Sequence, residues 1–117
     1  MIFVFGSNLA GIHGAGAALF ARRYRGAILG VGVGLQGESY AIPTKDGELN
    51  TLPLDEIAEH IEDFYNFAEE RSDLRFELTP IGCGLAGYTK KQMWQTLRVV
   101  GKLPSNVFLS SSWINDV

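Results

Sequence analysis

The chain has 117 residues, which is long enough for one compact domain with its own core and too short for two. Apolar residues make up 46% of the sequence and charged residues 20%, so the composition is not that of a disordered chain. The single cysteine, Cys83, excludes an internal disulfide and a metal site of the paired-cysteine kind, and the net charge of −3 excludes a strongly basic protein. We expect a single domain over residues 1–117 with no bound metal and no cofactor.

Acidic residues are unevenly spread along the chain. None occurs before Glu38, and eight of the thirteen lie in residues 55–73. The acid-free first third carries Arg22, Arg23 and Arg25, which favours a small anionic ligand nearby, whereas a general nucleic-acid binder needs a broader basic face. We therefore expect a small anion as the ligand and no duplex nucleic acid as a partner.

The first half of the chain predicts a strand, a glycine-rich loop, a helix and a second strand. Residues 2–5 form the first apolar run and predict a buried strand that residues 6–8 end. This run lacks a basic leader and is far too short for a signal peptide or a membrane span, so a cytoplasmic protein with no membrane partner is expected. Residues 15–24 predict a short helix, residues 39–44 predict a strand, and residues 30–34 fit either a strand or a closely packed loop.

The second half begins with a long helix and then repeats the order of strand, glycine-rich loop, helix and strand. After a turn at residues 45–48, apolar residues recur at helical spacing from Leu54 to Ala68, with Pro53 in the first turn. Residues 75–81 alternate as a strand, the sequence Thr89-Lys-Lys-Gln92 predicts a capping box, and residues 106–110 predict a last strand. The order is typical of an α/β domain whose sheet carries helices on both faces.

Two glycine-rich loops each follow a predicted strand and lead toward a predicted helix. We call residues 13–18 (HGAGAA) the first glycine loop and residues 81–88 (IGCGLAGY) the second glycine loop. A helix start offers unpaired N–H groups and a partial positive charge, and glycine lets phosphate oxygens approach the backbone. Two such loops at one end of a sheet would hold two adjacent phosphates, although each loop alone also fits a tight turn with close packing.

Other nucleotide and hydrolase motifs do not fit. A dinucleotide-binding fingerprint needs a glycine where Leu19 stands and an acid after the next strand. The sequence contains no glycine-lysine-serine or glycine-lysine-threonine, so a P-loop is excluded. No glycine-flanked serine with a matching histidine and acid indicates an esterase.

Four segments, in order and spacing, resemble the ligand-binding loops of macro domains. They are Gly6-Ser7-Asn8 and residues 13–18, 40–45 (YAIPTK) and 79–88 (TPIGCGLAGY). The resemblance covers about residues 2 to 100. It is closest to the terminal ADP-ribose glycohydrolase branch, which cleaves ADP-ribose from glutamate, and to short macro-like proteins of bacteria and phages. It implies a minimal macro-like, three-layer α/β/α fold with a mixed, mostly parallel sheet, and ADP-ribose or an ADP-ribosylated protein as partner.

The resemblance also implies roles for individual residues. Asn8 matches the asparagine that binds the distal ribose, and the two glycine loops match those that hold the diphosphate. The residues expected to bind the ligand are Ser7, Asn8, Gly14, Ala15, Gly16, Ala17, Gly82, Cys83, Gly84, Leu85, Gly87 and Tyr88. Lys45 matches the lysine that attacks the anomeric carbon, but Ala86 stands where the glutamate-cleaving branch has its resolving aspartate. The strand and loop that carry the adenine-recognising aspartate of typical macro domains have no counterpart before Ile2.

Asn8, His13 and Lys45 are the candidates for chemistry. Asn8 can bond a ribose or orient a water, and it is also a common turn residue. The His13 imidazole is a candidate acid or base, or a plain loop histidine. Lys45 could pair with a phosphate, attack as an amine, or lie in water at a turn. Cys83 could carry a thiolate or pack under the phosphates, and Tyr88 could cover a sugar or the core.

Three functions remain open at this point. The first is a hydrolase that removes ADP-ribose from an acceptor, or phosphate from ADP-ribose 1″-phosphate. The second is a binding protein that reads or sequesters ADP-ribose or a similar NAD-derived signal. The third is an interaction domain that kept the fold and lost the pocket.

Overall fold

The computed structural model of the chain describes residues 1–114, so the last three residues of the predicted domain lie outside it. The described residues form five strands and three α-helices. In chain order these are β1 (Ile2–Asn8), α1 (Gly16–Tyr24), β2 (Gly34–Gln36), β3 (Ser39–Lys45), α2 (Leu54–Glu70), β4 (Phe76–Leu78), α3 (Lys90–Val100) and β5 (Val107–Leu109), followed by a short 3₁₀ turn at Ser111–Trp113. No helix within this range has the length and apolar character needed to cross a bilayer.

The strands form one mixed, mostly parallel sheet in the order β2-β3-β1-β4-β5. The central strand β1 runs parallel to both β3 and β4, β5 runs parallel to β4, and only the edge strand β2 is antiparallel. The carboxyl ends of β1, β3 and β4 therefore meet at one edge of the sheet. The chain passes from β1 through α1 to one side and later crosses through α2 to the other side, an arrangement that opens a crevice at that edge.

Helices cover both faces of this sheet, because alternate residues of each strand point to opposite sides. On one face α1 contributes Ala18 and Ala21, which pack against Phe5 of β1 and Ala41 of β3. On the other face α2 and α3 cover a larger core. That core includes Val4, Tyr40, Ile42, Ile57, Ile61, Phe64, Phe76, Leu78, Met93 and Leu97. The predicted α/β fold with three layers is thus confirmed.

Most of the predicted elements are found, with shifted ends. β1 includes residues 6–8 and ends at Asn8 instead of stopping at residue 5, and β3 extends through Lys45, so the predicted turn begins one residue later. The strands predicted at residues 75–81 and 106–110 pair over only three residues each. Residues 30–33, left open between strand and loop, form a loop that leads into β2. The predicted capping box of α3 is present in full.

Candidate functional site

A cleft of about 290 Å³ lies at the carboxyl ends of β1, β3 and β4. Its floor is formed by the strand ends, including Ser7, Asn8, Thr44 and Thr79, and its walls come from the two glycine loops. Gly6 lets these parts come together, since a Cβ on it would lie 3.2 Å from the backbone nitrogen of Gly82. The fold therefore brings the two loops predicted from the sequence to one site.

The first glycine loop presents an uncapped helix start to this cleft. Gly16 has a φ of +57°, a left-handed conformation that glycine adopts without strain, and it turns the chain into α1. Ala15 cannot supply a side-chain cap, and the first turn contains no acidic residue. Among the described residues, the N–H groups of Gly16, Ala17 and Ala18 have no protein acceptor, and all three residues line the cleft. An anion is the natural partner for such groups.

The side chain of Asn8 fixes the turn that leads into the first glycine loop. Its side-chain amide donates to the carbonyl of Ile12 at 2.8 Å, and its side-chain oxygen accepts from the Ile12 N–H at 3.0 Å. Asn8 also lines the cleft. Its side chain thus closes the turn after β1 and keeps one N–H and one lone pair for a ligand.

His13 does not line the cleft, contrary to its prediction as an acid or base there. The imidazole is fully buried, and its ring lies nearly perpendicular to that of Phe5, with the ring centroids 5.4 Å apart. Its Nε2 lies 3.0 Å from the carbonyl oxygens of both Ile28 and Val31, so this nitrogen carries the proton and donates to them. His13 therefore anchors residues 28–33, which we call the supporting loop, beneath the first glycine loop.

The backbone of the supporting loop packs directly against the backbone of residues 8–11, which lead into the first glycine loop. A Cβ on Gly32 would lie 2.1 Å from the carbonyl oxygen of Asn8, and one on Gly11 would lie 2.3 Å from the carbonyl carbon of Gly30. The Gly30 N–H donates to the Gly11 carbonyl at 2.9 Å, and the Ser7 hydroxyl donates to the Gly32 carbonyl. Only glycine permits this close approach.

The second glycine loop offers backbone N–H groups from a turn. The N–H groups of Gly84, Leu85 and Ala86 have no acceptor in the part of the chain that the structure describes, and these residues line the cleft. Successive free N–H groups of this kind form a concavity that binds anions. The loop is fixed by side chains: the Tyr88 hydroxyl donates to the Leu52 carbonyl at 2.7 Å, and the Thr51 hydroxyl donates to the Ala86 carbonyl at 2.9 Å.

The start of α3 is closed by the predicted capping box, so the second glycine loop does not present an open helix start as the first one does. Thr89 is the N-cap of α3, and its hydroxyl accepts from the Gln92 N–H at 3.1 Å. The Gln92 side chain in turn accepts from the Thr89 N–H at 2.8 Å. The capping box thus satisfies this end of α3. The second loop therefore supplies its own amide groups and not those of a helix.

Lys45 is the single charged side chain that lines the cleft in residues 1–114. It ends β3, is half-buried, and faces Asn8 across the β1–β3 pairing. Arg22 and Arg23, expected near the anion, lie instead in the last turn of α1, and Arg25 follows as its C-cap. Because α1 starts at the cleft and runs back toward the amino ends of the strands, the arginines at its end are remote from the cleft.

The structure separates the predicted site residues into two groups. Those that line the cleft are Ser7, Asn8, Gly14, Ala15, Gly16, Ala17, Lys45, Gly82, Gly84 and Leu85. His13, Cys83, Gly87 and Tyr88 lie outside its lining. Cys83 and Tyr88 pack against the core under α2 and α3, and burial raises the pKa of the Cys83 thiol. The Gly87 N–H is bonded to the Gly84 carbonyl at 3.1 Å.

Several lining residues were not among those predicted to bind the ligand. Thr44 and Thr79 follow from the strand ends, and Ile81 and Ala86 belong to the second glycine loop. Ile12, Leu49 and Leu85 are apolar yet exposed at the cleft, and Leu85 alone among them was predicted. The available signal was their place in loops beside the predicted strand ends.

The lining as a whole offers backbone N–H groups and one ammonium group, with no carboxylate or imidazole from the described residues. Such a set stabilises an anion and lacks the usual groups for general acid–base catalysis. Within residues 1–114 no three His, Cys, Asp or Glu side chains lie close enough to hold a metal ion. Comparisons with protein-family models, curated proteins and solved structures found no significant match to this chain.

Proposed function

We propose that the cleft binds ADP-ribose or a related NAD-derived nucleotide, with its diphosphate held between the two glycine loops. The observation that carries this proposal is the pairing of two sets of unpartnered N–H groups around one cleft. Gly16, Ala17 and Ala18 supply one set, and Gly84, Leu85 and Ala86 supply the other. Two such sets match two adjacent phosphates, and each is the type of site that binds phosphate through the backbone.

The charge of the cleft supports an anionic ligand. Lys45 contributes a positive charge, and no acidic side chain of the described residues lines the cleft to oppose it. The nucleotide identity derives from the macro-domain resemblance of the loops, and on this proposal the chain is a macro-type domain. A cytoplasmic location is part of the same proposal, since it suits a lone free thiol.

Binding fits the lining better than hydrolysis does. Ala86 stands where a resolving aspartate would be needed, and His13 is buried away from the cleft. Among the described residues that line the cleft, Lys45 carries the one side chain that could transfer a proton to or from a bound ligand by the usual routes. We therefore favour a protein that reads or sequesters its ligand, without turnover.

Hydrolysis is the second candidate function, because Lys45 is an amine that lines the cleft and could act as a nucleophile. An enzyme would release ADP-ribose from a modified protein, or phosphate from ADP-ribose 1″-phosphate. The assay is incubation of either substrate with native protein and with Lys45→Met. Turnover lost in the variant would establish the hydrolase, whereas binding without turnover by native protein supports the reader.

The direct test of binding is calorimetric titration with ADP-ribose, with AMP as the single-phosphate control. Gly84→Glu is the informative variant, because Gly84 has ordinary φ and open space at its Cβ position. The added carboxylate repels the phosphates, and we expect affinity to fall by about 100-fold or more. Ser105→Glu is the matched control: it adds the same charge on the amino side of β5, at the far edge of the sheet.

Each outcome decides the proposal. Saturable binding of ADP-ribose that Gly84→Glu abolishes and Ser105→Glu preserves supports a phosphate site in the cleft. Equal binding by both variants would place the ligand elsewhere. No binding of either nucleotide would overturn the proposal and favour an interaction domain that has lost its pocket.

A further inference from the structure

The polar side chains of the cleft are already engaged within the protein. The uncharged ones that line it are Ser7, Asn8, Thr44 and Thr79. Each is bonded to backbone groups: for example, the Thr79 hydroxyl donates to the Val4 carbonyl at 2.6 Å, and the Thr44 hydroxyl donates to the Ser7 carbonyl at 3.3 Å. Free side-chain donors and acceptors are a common means of distinguishing one base edge from another. The lining thus has strong groups for phosphate and few for a base.

Three exposed apolar side chains surround the cleft instead. Ile12, Leu49 and Leu85 all line it, and they are 48%, 45% and 77% exposed. They come from three separate loops: the approach to α1, the β3–α2 connection and the second glycine loop. We call these three side chains the apolar clamp. Exposed apolar groups that converge on a concave site are typical of ligand contacts.

Leu49 is held in a conformation that leucine rarely adopts. Its φ is +68°, and it is the only non-glycine residue with positive φ in residues 1–114. A turn fixes it there, because the Asp46 carboxylate accepts from the N–H groups of Glu48 and Asn50, both at 2.9 Å. Asparagine or glycine would sit there with less strain. A strained leucine at the cleft indicates that its side chain serves the site.

The cleft is also small for a whole nucleotide. Its volume of about 290 Å³ is at the low end of ligand sites. The diphosphate therefore fills the part between the glycine loops, and the rest of the ligand extends to the mouth, where the apolar clamp lies.

We propose that the apolar clamp packs against the flat faces of the ligand's base, and that the protein accepts nucleoside diphosphate ligands with little regard to which base they carry. This inference rests on the proposed function. The faces of every base can pack against Ile12, Leu49 and Leu85, whereas the uncharged polar side chains of the described lining are already bonded to the backbone and Lys45 is a cation suited to phosphate. Specificity then comes from the phosphates.

The test compares three probes on the native protein by calorimetry: ADP-ribose, its guanine analogue GDP-ribose, and inorganic pyrophosphate. We expect ADP-ribose and GDP-ribose to bind within about threefold of each other, and pyrophosphate to bind at least about tenfold more weakly because it has neither base nor ribose to contact the clamp. A preference above about tenfold between the two bases would overturn the inference. So would pyrophosphate binding as tightly as the nucleotides.

The variant Leu49→Asn tests the contribution of the apolar clamp to affinity separately from the stability of the fold. The variant relieves the backbone strain, so its thermal midpoint should equal or exceed that of the native protein. Its affinity for both nucleotides should fall by about fivefold, while its affinity for pyrophosphate stays unchanged. Val99→Asn is the matched control, since Val99 is 82% exposed on α3 and does not line the cleft.

The two proposals fail in different ways. If native protein binds none of the three probes, both the proposed function and the clamp are wrong. If ADP-ribose binds but Leu49→Asn binds it as tightly as native protein, the phosphate site stands and the clamp alone is wrong.

Discussion

The first glycine loop runs directly into α1 and leaves the helix start uncapped, whereas the second glycine loop ends before α3, whose start is closed by Thr89 and Gln92. Both loops nevertheless bring three unpartnered N–H groups to the same cleft. The first set carries the partial positive charge of a helix end, and the second is a turn that needs no helix. Similar glycine patterns thus produce similar binding groups by different local structures.

The supports of the two loops differ as well. The first glycine loop rests on the supporting loop through backbone contacts that only Gly11 and Gly32 allow. The second is held by the hydroxyls of Thr51 and Tyr88, each bonded to a carbonyl. Backbone contact leaves no room for a methyl group, whereas a lost hydroxyl removes a single bond. The first loop should therefore be the more sensitive to small changes in its support.

The largest effect is expected from Gly32→Ala. The added methyl carbon would lie 2.1 Å from the Asn8 carbonyl oxygen, so β1 and the supporting loop must move apart. We expect the free energy of unfolding to fall by about 3 kcal/mol, measured by urea denaturation.

Two variants calibrate that result. Gly47→Ala places a methyl group in open space at ordinary φ and should change stability by less than about 1 kcal/mol. Tyr88→Phe removes the bond to the Leu52 carbonyl in the second loop and should cost about 1 kcal/mol. If Gly32→Ala is no worse than Gly47→Ala, the backbone contact does not fix the first loop.

Two smaller effects of opposite sign are expected from Ala17→Asp, a rise in stability and a fall in affinity for ADP-ribose. A carboxylate in the first turn of α1 interacts favourably with the helix dipole and should raise stability by about 0.5 kcal/mol. The same charge repels a bound phosphate, so affinity for ADP-ribose should fall by about tenfold or more. Thermal unfolding and calorimetry measure the two effects on one sample.

Ala17→Asn is the control for size, because it has nearly the shape of aspartate without its charge. It should bind ADP-ribose within about threefold of the native protein. Equal losses in Ala17→Asp and Ala17→Asn would show that the α1 start senses bulk and not charge, and the first loop would then not act through a helix end.

Local patterns in the sequence were sufficient for much of the fold. The apolar spacing of α2 and the capping box at Thr89 depend on residues within a few positions of one another, and both were predicted correctly. The position of the two glycine loops also follows from short segments next to strands. Strand ends were less predictable, because pairing with neighbours decides where β1 and β4 stop.

The errors concern contacts between residues distant in the chain. His13 was predicted as a candidate acid or base, but its buried imidazole is bonded to the carbonyls of Ile28 and Val31, which lie 15 and 18 residues later in the chain. Gly32 could not be assigned to strand or loop because its role depends on the Asn8 carbonyl. The positive φ of Leu49 has no signal in the sequence, since the turn around Asp46 imposes it. Such long-range or conformational constraints leave no periodic trace in a single sequence.

The smallest effect on affinity, and the sharpest distinction between the loops, is expected from Thr89→Ala. The variant loses the hydroxyl that accepts from the Gln92 N–H, so the free energy of unfolding should fall by about 1 kcal/mol. Affinity for ADP-ribose, measured well below the unfolding midpoint, should stay unchanged, because in the proposed site the second glycine loop acts through the unpartnered amides of Gly84, Leu85 and Ala86 and not through α3. A rise in affinity would mean that the freed N–H groups of α3 reach the phosphates. A fall of more than about threefold would mean that the cap positions the loop, and in either case the second loop would depend on its helix as the first does.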